Sequence, residues 1–144
     1  MFLFGDFKVY DKRYDKNKFL IHDYFFGKSL DKVRQGGVIA FITSKGTLDK
    51  EDDSVRRYLS QRAELIGAIR LPNDTFKRNA GTEVTSDIIF LKKRDKITDI
   101  VDDWVEIAEN EDGIRINKYF ADHPEMILRK NGNRANSIWY GLNL

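Results

Sequence analysis

VIAFITS, residues 38–44, is a short and almost continuous apolar run set between Gly37 and Gly46. Such a run, bounded by turn residues and without alternation, predicts a strand covered on both faces, as in parallel α/β sheets. LIGAIRLP (65–72) repeats the pattern and is stopped by Pro72, and VTSDIIFLKKR (84–94) supplies a third strand. Between them, SVRRYLSQRA turns Val55, Tyr58 and Leu59 to one side, which predicts a short amphipathic helix near 53–62. The acids Glu51, Asp52 and Asp53 sit where negative charge meets the start of that helix favourably.

Upstream, Phe19, Leu20, Tyr24, Phe26, Leu30 and Val33 recur at helical steps, predicting a helix near 18–34. Asn17 is placed to cap its start, and Gly36-Gly37 to end it. Downstream of Arg94 the chain turns acidic. WVEIAE (104–109) reads as a short strand or helix, and NKYFADHPEM (117–126) as a short helix ending near His123-Pro124. The order helix, strand, helix, strand, loop, strand argues a layered α/β fold.

Composition narrows the classes. The chain has 144 residues, 41% apolar and 33% charged, which suits one globular domain rather than a disordered segment. Lysine plus arginine (25) nearly balances aspartate plus glutamate (23), so net charge names no partner. With no cysteine there is neither a disulfide framework nor a thiolate metal site. The apolar start, MFLF, is too short for a membrane span or a signal peptide, and a cytoplasmic location is the expectation. No glycine-rich phosphate-binding pattern occurs. His22 and His123 stand far apart and read as packing or helix-end residues, so no triad or metal set is expected.

Taken in order, FGDF, FLIHDYFFGKSLDKVRQGGVIAFITSKGTLDK, VRRYLSQRAELIGAIRLPNDTF and GTEVTSDIIFLKKR resemble the second half of an adenine-specific DNA methyltransferase. The likeness spans about residues 4–128. It is to the methylase polypeptides of mobile elements joined to a helicase region, and more distantly to type I restriction modification subunits. It implies an incomplete Rossmann-like, S-adenosylmethionine-dependent fold, with strands 38–44 and 65–71 parallel and 84–93 antiparallel to them. Residues 1–94 would be a partial methyltransferase domain, and 95–144 an extension packed on it, with 129–144 atypical.

The resemblance also implies site residues. The family's catalytic loop reads Asn-Pro-Pro-Phe followed by glycine, and Phe4 and Gly5 match its last two positions. Met1, Phe2 and Leu3 stand where the amine-accepting asparagine and the prolines belong, and the cofactor motif would lie upstream. The chain is thus expected to be truncated in that loop, inactive alone, and without bound S-adenosylmethionine. DNA is the parent family's partner, and Lys45, Lys77, Arg78 and Asn79 are the residues expected to meet its phosphates. The alternative is a non-catalytic module that binds DNA or self-associates, with the open sheet edge near Val38–Ser44 covered by a homodimer partner or by a rearranged amino-terminal segment.

Overall fold

The computed structural model describes residues 21–72 and 85–128. Helix α1 (Ile21–Lys32) lays Phe26 and Leu30 into the core, and the Phe26 ring meets Phe41 edge-on at 4.7 Å between centroids. The turn after it needs both of its glycines. Gly36 has φ of 73°, a conformation that costs most side chains a steric clash. A Cβ on Gly37 would lie 2.5 Å from Val33 Cγ1 and 2.9 Å from the Arg34 carbonyl oxygen. The chain then enters β1 (Val38–Ser44), makes one helical turn as α2 (Gly46–Asp49), and starts α3 (Ser54–Arg62). Asp52 Oδ1 accepts from the Ser54 N–H at 3.0 Å, which satisfies one of the free donors at that helix start.

α3 runs directly into β2 (Ala63–Arg70), and β3 (Ser86–Lys93) follows. The sheet order is β1-β3-β2, with β3 antiparallel to both neighbours. Ile39, Leu91 and Leu65 form one row across the three strands, and a bulge interrupts the β2–β3 register between Leu65 and Gly67. A second small sheet pairs β4 (Ile107–Glu109) with β5 (Arg115–Asn117), again antiparallel. Its turn is built by Asn110, whose Oδ1 accepts from the N–H groups of Asp112 and Ile114, and by Gly113 at φ of 74°. Helix α4 (Lys118–Asp122) follows, capped by Asn117 Oδ1 accepting from the Tyr119 N–H at 3.0 Å. Trp104, Val105, Ile116, Phe120 and Met126 close one core with Leu30, Leu48, Leu59, Ala68, Ile89 and Leu91.

The expected Rossmann-like sheet is overturned. β1 and β2 run the same way, but they do not pair, and every ladder among the described strands is antiparallel. The physical reason lies in VIAFITS itself. Its apolar residues are not covered on both faces: Val38, Ala40 and Ile42 are exposed while Ile39 is buried. An alternating burial of this kind belongs to antiparallel sheets with one face to the core. Local readings of the elements fared differently. Helix and strand positions fall within a few residues of those expected, the helical turn α2 is an addition to them, and Asn17 lies outside the described residues. Among the described residues no helix is long and apolar enough to cross a membrane.

Leu91 has no exposure and sits at the centre of the middle strand. Leu91→Ala is expected to cost about 2–5 kcal/mol in denaturant unfolding. Ile100→Ala, at a residue 73% exposed, should change stability by no more than about 0.5 kcal/mol.

Candidate functional site

Two features stand out where the strands end and where the sheet stops. The first is a buried ionic group. Arg70 closes β2 and faces Asp87 at the start of β3, its direct partner in the ladder. Arg70 Nε donates to Asp87 Oδ1 at 2.8 Å, and Nη2 to Oδ2 at 2.9 Å. On its other side Nη1 donates to Asp49 Oδ2 and Nη2 to Asp49 Oδ1, both at 2.9 Å. The guanidinium carbon lies 4.4 Å from the centroid of the Phe120 ring. Asp49 Oδ1 also accepts from the Asn117 N–H at 3.1 Å. Asn117 Nδ2 in turn donates to the carbonyls of Leu48 and Trp104, at 3.0 and 2.7 Å.

This group joins β2, β3, α2, β5 and α4 at one point. Burial alone would drive the Arg70 guanidinium down, but its hydrogen bonds to Asp87 and Asp49 outweigh that and push it up. Burial pushes the Asp87 carboxyl above the ordinary carboxylate range, with Arg70 pulling against it. Both carboxylates are held in two-point pairs, so neither is free to act as a base. A second arginine, Arg56, is also buried, and burial pulls its guanidinium down. It donates through Nε to the Val105 carbonyl at 2.8 Å. Among the described residues no cluster of histidine, aspartate or glutamate is placed to hold a metal ion.

The second feature is the outer edge of β1. Lys93 donates to the Gly37 carbonyl and Lys45 donates to the Thr85 carbonyl, at 2.9 and 3.0 Å. These two bonds bracket the strand and place its odd-numbered residues on the bonds to β3. The N–H and C=O of Val38, Ala40, Ile42 and Ser44 therefore point away from the sheet, and no described strand pairs with them. The opposite edge, β2, is met by the chain at its end, and the helix residue just before it is bonded too. Thr98 donates to the Gln61 carbonyl just before it, and Leu128 to that of Arg70 at its end. Residue Ile127 adds a parallel bridge to Arg70. Beside the open edge, residues of α1 and β1 line a shallow, open apolar depression.

Of the residues singled out in the sequence, Lys45 alone lies in the described region. It is exposed in the turn after β1, and its charge acts on Asp87. Phe4, Gly5, Lys77, Arg78 and Asn79 lie outside the described residues. Sequence reasoning missed Asp49, Arg70, Asp87 and Asn117. A signal for two of them was present: Arg70 and Asp87 are charges inside strand runs, at positions that the period of two turns inward.

Arg70→Met is expected to lower stability by about 3–5 kcal/mol at neutral pH, because it leaves the Asp87 carboxylate buried without its partner. The folded-state value of Asp87 is raised, so its favourable contribution is complete below the unfolded value and is lost as pH rises through the folded one. The penalty of the variant should accordingly shrink toward about pH 4, read from denaturant midpoints across pH. Adding Asp87→Leu to Arg70→Met should recover part of the loss at neutral pH.

No family model matches the chain, and no solved structure matches it. A curated protein of Escherichia phage P1, "Defense against restriction protein B", is 35% identical over 71 residues. The match takes in 49% of this chain but only 3% of that protein, so the chain spans a small part of its relative's length. The relative's name describes defence against restriction and not methyl transfer. This overturns the resemblance to an adenine-specific DNA methyltransferase, the reading of the chain as a truncated piece of one, and S-adenosylmethionine as the parent cofactor. The antiparallel sheets agree with that correction.

Proposed function

We propose that the chain is a strand-addition module carried within a polypeptide that acts in defence against restriction. The observation that carries this reading is the asymmetry of the sheet. At the β2 edge the chain's own Leu128 and Ile127 meet Arg70, while β1 turns the backbone groups of Val38, Ala40, Ile42 and Ser44 outward with no partner among the described residues. The same residues expose their side chains, with Val38 at 52% and Ile42 at 64%. An edge of that length, with apolar side chains and no charge among them, is a template for another strand. The similarity to the phage P1 protein over half of this chain supports the setting, a small module of a much longer defence polypeptide.

The chemistry on this surface is recognition. The buried ions clamp the fold and are occupied with one another. Lys45, expected to meet DNA, lies exposed in the turn after β1, and its charge also acts weakly on the Asp87 carboxylate. Where no other partner is supplied, the added strand is β1 of a second copy, joined about a twofold axis.

Light scattering over a concentration series tests this. The mass should rise from 16.8 kDa toward twice that value as protein approaches about 1 mM, the range of a weak contact of a few kcal/mol. Ala40→Pro removes an outward N–H without touching the bonds to β3, and should hold the protein at 16.8 kDa throughout. Identical mass curves for the two proteins would overturn the reading.

A further inference from the structure

Three charges meet in the clamp, and they do not balance. The Asp87 side chain is closed to solvent, while those of Arg70 and Asp49 are 9% and 18% exposed. One guanidinium serves both carboxylates. Its Nη2 is shared between them, with Asp87 Oδ2 and Asp49 Oδ1 each at 2.9 Å. Two like charges drawn onto one nitrogen repel each other where little water screens them.

Among the described residues, the other charges that reach this cluster stand further back. Lys45, exposed in the turn after β1, acts weakly on Asp87. Arg56 of α3 interacts with the Asp49 charge, but it donates to the carbonyls of Val105 and Thr47. Thr43, the ladder partner of Asp87 in β1, is neutral, and its hydroxyl is bonded to that of Thr47.

We propose that the Asp49–Arg70–Asp87 cluster is a proton-operated latch, in which mild acid places one proton on Asp87 and passes Arg70 wholly to Asp49. The proton comes from solvent, which reaches the cluster on the Asp49 side. It forms an O–H bond on Oδ2 of Asp87, the oxygen that faces the shared nitrogen, and so frees Nη2 for Asp49 alone. β2 and β3 stay joined, because Arg70 and Asp87 are also partners in the backbone ladder. The hold on α2 tightens. With it tightens the bond from the Asn117 N–H to Asp49 Oδ1, at the point where β5 ends and α4 begins. Burial pushes the Asp87 carboxyl up, against the pull of Arg70, and the Asp49 charge pushes it further. A raised folded value makes the contribution of Asp87 complete below the unfolded value and lost as pH rises through the folded one. The latch therefore holds in mild acid and slackens toward neutral pH.

Carboxyl-carbon NMR of the full chain, titrated from about pH 7 to about pH 3, tests the latch. The Asp87 carbon should titrate above the ordinary aspartate value of about 3.9. Asp49→Asn should bring that midpoint down, and Lys45→Met, at an exposed position, should move it slightly up. As pH falls through the Asp87 midpoint, exchange protection of the Asn117 amide should rise about threefold or more relative to that of Leu91. An Asp87 midpoint at or below the ordinary value would overturn the proposal, as would a midpoint that Asp49→Asn leaves in place. Flat Asn117 protection across the midpoint would show a proton without a latch and overturn it equally. Should Asp49→Asn not fold, the wild-type midpoint and the Asn117 protection decide by themselves.

Discussion

The two-point bond between Arg70 and Asp87 sets the register of the sheet, and much of the molecule follows from it. The two residues are direct ladder partners, and both are buried. A slip of one residue would carry every side chain of β2 to the wrong face and strand a buried carboxylate. With that register fixed, Ala68 faces Ile89 in the core, and past the bulge between Leu65 and Gly67 the shifted register sets Leu65 against Leu91 in one row with Ile39. Asp49 extends the clamp to α2, and through Asn117 it reaches β5 and the start of α4. A buried ionic group of this kind adds little net stability over an apolar one, but a wrong arrangement of it is expensive. Its contribution here is specificity of pairing.

The same register determines which side of the sheet remains available. β3 lies between β1 and β2, so its own backbone is satisfied on both sides. β2 is met by Leu128 and Ile127 at Arg70, and Thr98 bonds to Gln61 in the helix that precedes it. β1, by contrast, keeps its whole outward row without a described partner. Proteins commonly blunt such an edge with a lysine, a proline or a bulge. The described edge carries none of these within Val38–Ser44, and the bulge of the sheet falls on β2 instead. An unprotected edge next to an apolar depression is the combination on which the functional reading rests.

Much of the local structure was legible. The helical steps of Phe26 and Leu30, the stop at Gly36-Gly37, and the apolar strand runs each follow from side-chain chemistry within a few neighbouring residues. The strand directions hold too, with β3 antiparallel to both β1 and β2, but the doubly covered sheet does not. A continuous apolar run fits a strand covered on both faces and equally an edge strand with one greasy face outward, and VIAFITS is the second kind. The ionic clamp was hidden for a related reason. Asp49, Arg70, Asp87 and Asn117 are spread over nearly seventy residues, and what brings them together is the tertiary fold. Arg70 and Asp87 could have been suspected, as charges at inward strand positions, but nothing local pointed to Asp49 or Asn117. Family likeness misled most, because a string of individually weak matches was read as a methyltransferase.

The central claim is that the outer side of β1 is open, and amide hydrogen exchange measured residue by residue on dilute monomer addresses it most directly. Ile39, Phe41 and Thr43 donate into the ladder with β3 and should exchange slowly. Ala40, Ile42 and Ser44, two bonds away along the same strand, should exchange orders of magnitude faster. Equal protection of both sets in the monomer would mean that the edge is already covered by the chain's own backbone, and the account of this protein as a strand-addition module would be wrong.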